Sequence, residues 1–168
     1  MKQIFYGVTL VLVLLVFPAA LYAQSGADEG SFAFTLNGYT VQGQLANAII
    51  HPDNSVTLTM TVNDTMRTSA GNVPINGSGE WYGTANATSL SGTIQDVQGT
   101  ARVCILFLLC GNANYVGQGA WQGTLSDAQG SGTFQGTITF TSSPVPQIPV
   151  NQPIPVSGTW NSNFQLSS

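Results

Sequence analysis

Apolar and polar residues alternate with a period of two along much of the chain. Phe32-Ala33-Phe34-Thr35-Leu36 runs into Asn37-Gly38 and resumes as Tyr39-Thr40-Val41. Asn-Gly is the preferred pair for a type I′ turn, whose twist matches that of the strands it joins. Pairing across it sets Leu36 opposite Tyr39 and Phe34 opposite Val41. All four then share one face, as a hairpin with one buried side requires. Val56 to Val62 is a second amphipathic strand, with Val56, Leu58, Met60 and Val62 on one side and Thr57, Thr59 and Thr61 on the other. His51-Pro52-Asp53-Asn54-Ser55 ahead of it reads as a turn. Trp81, Leu90 and Ile94 punctuate a Gly- and Thr-rich stretch, and Gly130 to Thr141 carries Phe134, Ile138 and Phe140 on one parity. Val156, Trp160, Phe164 and Leu166 share one parity in a last strand. Helix signals are almost absent. The pattern predicts a single all-β domain of about eight to ten strands. Either an antiparallel β-sandwich or an up-and-down β-barrel would show it, because both have the same alternation.

A weak repeat overlies the strands. Gly77-Ser78-Gly79-Glu80-Trp81-Tyr82-Gly83-Thr84 returns forty residues later as Gly117-Gln118-Gly119-Ala120-Trp121-Gln122-Gly123-Thr124. Gly158-Thr159-Trp160 lies thirty-nine residues beyond Trp121, and Tyr39 forty-two before Trp81. Propeller blades of this period would need about sixteen strands for even four blades, more than the chain holds. A duplicated hairpin within one sheet fits better, as does simple packing of aromatics beside closely approaching backbones. Pro144, Pro146, Pro149, Pro153 and Pro155 bar the segment from Ser143 to Val156 from a central strand. It is expected to run extended over the surface as a tether for a strand from Val156 to Leu166.

The N-terminus is different. Lys2 precedes an apolar run from Ile4 to Ala20, Pro18 breaks it, and Leu21-Tyr22-Ala23 offers a small residue for cleavage. This is the three-part pattern of a secretory signal peptide, residues 1–23. A retained anchor is the alternative, although Pro18 and Gln24-Ser25-Gly26 shorten the span. A pilin-type cut after Gly7 lacks the usual charge before it. Residues 24–31 then form a flexible mature N-terminus and 32–168 the β domain, with no stable membrane span left. The expected location is secreted or cell-surface, on the extracellular or periplasmic side.

Cleavage also removes the chain's one lysine, leaving Arg67 and Arg102 against seven acids. Nucleic acid and anionic membrane are poor partners for such a surface, since both need clustered cations. Few groups titrate or are screened, so the fold should be insensitive to pH and salt. Catalytic inventory is thin: His51 is the sole histidine, no Gly-x-Ser-x-Gly elbow occurs, and the carboxylates are scattered. The chain is therefore read as a non-enzyme without cofactor or metal, a secreted hydrolase being the minor alternative.

Cys104 and Cys110 enclose Ile105, Leu106, Phe107, Leu108 and Leu109. In a straight strand, residues six apart lie about 20 Å from each other, while a disulfide needs Cα atoms about 5.5 Å apart. Either the chain folds back and the bridge closes an apolar contact loop, or the segment is a buried strand with free thiols; the exporting compartment favours the bridge. Tyr39, Trp81, Trp121 and Trp160 are candidate ligand-facing aromatics, with core packing as the plainer role. Asn63, Asn76 and Asn86 head glycosylation sequons. Rows of threonine at 57, 59, 61 and at 137, 139, 141 resemble ice-contact arrays, but they also suit ordinary strand surfaces. The expected function is a structural or adhesive surface protein. Its partner is a second copy, joined by strand addition into an oligomer or fibre, or an extracellular molecule. A small-ligand or carbohydrate-binding barrel or sandwich is the alternative.

Overall fold

The computed structural model describes residues 30–68, 71–105 and 109–167. The proposed leader and residues 24–29 lie outside these. The described residues form β1 (Gly30–Leu36), β2 (Tyr39–Ile50), β3 (Ser55–Thr68), β4 (Gly71–Asn86), β5 (Ser89–Ile105), β6 (Leu109–Ser126), β7 (Gln129–Ser142), β8 (Pro153–Asn163) and β9 (Gln165–Leu166). Strands β1 to β8 pair in chain order, each antiparallel to the next, and β8 returns to pair with β1. The molecule is thus a closed up-and-down barrel of eight strands. Closure decides between the two expected architectures, and it satisfies the backbone groups that an open sheet would leave at its edges.

Local patterning sets the register. Asn37 and Gly38 both adopt positive φ, at 49° and 83°, and set Leu36 opposite Tyr39 and Phe34 opposite Val41. Along β3, Val56, Leu58, Met60 and Val62 point inward and are buried. The outward positions of the barrel are largely Ser, Thr, Asn and Gln, the reverse of the apolar belt that a lipid-embedded barrel turns outward.

The interior is built on a contact the repeat encodes. Gly83 of β4 pairs with Gly92 of β5, which pairs with Trp121 of β6. The indole lies back across both glycines and donates its Nε1–H to the carbonyl of Tyr82 at 3.2 Å. A Cβ on Gly83 would fall 2.5 Å from the ring. One repeat later, Trp160 of β8 crosses Gly132 and Gly123 and donates to Gln122 at 3.2 Å. Nearer the other mouth, Tyr115 crosses Gly99 and Gly77 and its hydroxyl donates to Asn76 at 3.0 Å. Each ring ends on the carbonyl just before the far glycine. The bare backbone admits a ring that any side chain would exclude, and the polar tip finds the partner it needs when buried. Trp81 lies on the equivalent position of β4 but faces Leu58 rather than glycine, and donates to the Met60 sulfur at 3.2 Å.

Both mouths are stoppered. At one, the turns are handed to each other around the rim: Ala85 N–H donates to Asn54 O, Leu125 N–H to Thr88 O, and Phe164 N–H to Ala128 O. Phe164 is buried edge-on against Trp160. Beyond it the chain leaves β8, and β9 pairs parallel with Ile49 and Ile50, covering the part of β2 that β1 does not reach. Leu166, expected on the buried parity of Trp160 and Phe164, is therefore 75% exposed.

At the other mouth the Pro-rich segment departs from expectation. It does not run wholly over the surface: Val145 is buried in the core, with Ile148 packed against that core. Pro153 and Pro155 belong to β8 and pair with Thr139 and Thr137 of β7. On its opposite side, β8 meets β1 only from Ser157 to Asn161. The prolines thus occupy a stretch with one neighbour, the edge setting in which a missing N–H is tolerated.

A Cβ at residue 132 would meet only backbone, that of Gln122 and Gly123. Gly132→Ala is expected to lower unfolding stability by about 3 kcal/mol or more. Gly38→Ala, where nothing lies nearby and only the positive φ opposes the side chain, should cost about 1–2 kcal/mol. Urea unfolding of the two variants checks the order.

Candidate functional surfaces

The aromatics proposed to face a ligand are core residues instead. Trp81, Trp121 and Trp160 are 0–2% exposed, with ring centroids 5.3 to 6.1 Å apart. Tyr39 is half-buried and packs against the same cluster. Phe32, Phe34 and Phe134 fill the space between them. What remains is an apolar cavity of about 40 Å³ bordered by Phe34, Val62, Val97, Tyr115 and Ile138. That is room for a few water molecules and not for a sugar or a lipid. The indoles are inside because the glycine pairs leave space there; the repeat encodes packing.

Cys104 and Cys110 face each other across the β5–β6 hairpin and are joined, with Cα atoms 4.0 Å apart. Both cysteines are exposed. The side chains of Ile105 to Leu109, and residues 106–108 altogether, lie outside the described residues. The hairpin that carries them extends past the strand pairing of its neighbours, with Val103 still buried in the core. β4 pairs with β5 only as far as Ile75 and Ala101, and β7 pairs with β6 only as far as Asn114. Pro74 stands where the next residue of β4 would pair, so β4 leaves β5 at that point. The result is a two-stranded finger, residues 102–105 and 109–112, cross-linked by the bridge.

The outer wall holds the remaining candidates. His51 Nε2 shares a 3.1 Å hydrogen bond with Thr57 Oγ1. Asp53 accepts from the Ser55 hydroxyl and N–H, which hold its carboxyl below the usual range. Both interactions order the β2–β3 turn. Thr59 donates to the Ala46 carbonyl and accepts from Asn47, so Thr57 and Thr59 are both tied to their own barrel. Tyr82 donates its hydroxyl to Glu80, and that bond, followed by desolvation and the Glu80 and Asp96 charges, raises the phenol above its ordinary value. Asn63, Asn76 and Asn86 are all exposed, and Asn63 sits directly opposite Asn76. Among the described residues no three of His, Cys, Asp and Glu gather within reach of one ion.

Sequence reasoning missed a surface feature. Two shallow, adjoining grooves of about 460 and 590 Å³ run over β5 to β8, and the glycines beneath them keep the wall low. Their lining comes from four strands, so no local motif announces them. Comparison with family models, with curated proteins and with solved structures returns no match for this chain.

Burial pushes the Tyr115 hydroxyl up to about 12 from 10.0. The unfolded chain gives up this proton more readily, so the contribution is intact below pH 10 and is lost as pH rises toward 12. Stability should fall above pH 10 by up to about 1.4 kcal/mol per pH unit. Urea midpoints between pH 8 and 12 should show a shallower alkaline decline for Tyr115→Phe than for the wild type. Reduction of the bridge, which closes a short loop, should remove about 2 kcal/mol. The accompanying rise in amide exchange should centre on the finger.

Proposed function

We propose that the chain is an exported, non-catalytic protein that works by contact, in a structural or adhesive role at a cell surface or outside the cell. The leader-like N-terminus supports export, and the bridge suits an oxidising compartment. The observation that carries the contact reading is the finger: an exposed disulfide joins two strands that run past the pairing of both neighbours, and the sequence between the cysteines, Ile105 to Leu109, is wholly apolar. An apolar sequence of this kind, presented outward, supplies a contact surface for a partner.

The rest of the barrel supports this reading by what it leaves available. The interior is filled and both mouths are stoppered, so a small-molecule site would need space the barrel does not have. Strand addition by β8 loses its support too. From Ser157 to Asn161 the strand is paired on both sides within its own sheet, and donating it would open the barrel.

Beads coated with the mature chain, residues 24–168, test the reading against apolar and hydrophilic surfaces and against one another. Wild-type beads should adhere or cluster. Leu106→Ser/Leu108→Ser should lose most of that adhesion with an unchanged unfolding midpoint. Equal adhesion by the double variant, or none by the wild type, would overturn the contact role of the loop.

A further inference from the structure

The outer wall of the barrel is not uniform. On β3 the side chains of Thr57, Thr59 and Asp64 are spent in bonds within the barrel. Midway along β6, β7 and β8 five are not: the side chains of Gln118, Gln122, Thr133, Gln135 and Ser157 make no hydrogen bond among the described residues. These residues line the two adjoining grooves, which together form one diagonal furrow from Ser157 and Thr159 on β8 to Thr93 on β5. Cross-strand pairing orders them in rows. Gln122, Thr133 and Thr159 form one row; Thr93, Ala120, Gln135 and Ser157 form the next. Tyr82 pairs with Thr93 and continues the second row. Its ring is 38% exposed, and its hydroxyl is tethered by Glu80.

We infer that this furrow binds a chain of neutral polysaccharide. The amides and hydroxyls offer paired donors and acceptors, the complement of a polyhydroxylated chain. Successive members of a row lie at the interstrand spacing of about 4.8 Å, so an extended polymer laid across the strands meets a further side chain at each one. Charge selects against other occupants. No lysine or arginine lies in the furrow, which removes the usual means of holding phosphate, sulfate or carboxylate, and Asp96 at its β5 end repels them. Tyr82 supplies an exposed aromatic face on which a sugar ring can stack at the end of the row. The inference rests on the contact reading, since it supplies a matrix for an exported barrel to hold, but it uses different residues from the finger.

Native electrophoresis through gels cast with soluble neutral polysaccharides (hydroxyethylcellulose, glucomannan, dextran) or with anionic alginate tests it. The mature protein should be retarded by at least one neutral polymer, unaffected by alginate, and its retardation should persist in added salt. Gln122→Ala/Gln135→Ala and, separately, Tyr82→Ala should each raise the apparent Kd roughly tenfold, the scale of two hydrogen bonds or one stacked ring, at unchanged unfolding midpoints. No retardation in any neutral gel, or equal retardation of both variants, overturns the assignment. So does concentration-dependent self-association abolished by the glutamine pair, which would make a second copy the occupant. Leu106→Ser/Leu108→Ser should be retarded like the wild type. Retardation of a wild type that does not adhere therefore marks failure of the contact loop alone, and adhesion without retardation marks failure of the furrow alone.

Discussion

An aromatic ring laid across two glycines on adjacent strands is the contact on which the barrel depends. Trp121, Trp160 and Tyr115 each make it, and each ends on a backbone carbonyl beyond the far glycine. The geometry couples three strands at once, because ring, near glycine and far glycine lie on consecutive strands. A slip of one residue in any pairing would place a side chain under the ring and turn the ring outward. Register is therefore specified by steric exclusion, in a sheet whose small polar residues would otherwise specify it weakly.

The same contact governs what the protein can do. An eight-stranded barrel has an interior just wide enough to be filled or to hold one small ligand, and the rings decide for filling. Phe164 and Val145 then close the two mouths. Chemistry is displaced to the outer wall, where few groups titrate. A wall of this kind makes contacts that vary little with pH or ionic strength.

How far all this could be read in the sequence depended on the range of each interaction. The β1–β2 register was legible because Asn37-Gly38 determines it within a few residues. The apolar face of β3 was equally plain. The repeat was visible, and its spacing matched a two-strand unit, with Trp81, Trp121 and Trp160 on β4, β6 and β8. Its cause was not visible, because the glycines under each ring lie one and two strands away. Barrel closure depends on β8 meeting β1, which alternation does not encode. Leu166 and the β8 prolines were misplaced for the same reason. Parity carried Leu166 inward, although the chain turns onto β2 after Asn163, and proline rules barred a strand whose other side simply has no neighbour. The furrow arises only after four strands are set side by side.

The two candidate contact elements differ in how they are held. The finger is a local structure: a hairpin that has lost its neighbours beyond Ala101 and Asn114 and is secured by one covalent bond. The furrow belongs to the barrel wall, where β5 to β8 lie side by side in antiparallel order, with a β-bulge between Ile94 and Val97 in β5. Loosening the finger leaves the furrow's rows intact, whereas any change that shifts a glycine–ring contact moves the furrow as well. β1 begins, and β8 ends, at the mouth closed by Phe164, while the finger projects from the mouth closed by Val145. A barrel attached through its N-terminal side would therefore hold the finger outward and expose the furrow along its flank, so that both could be engaged together.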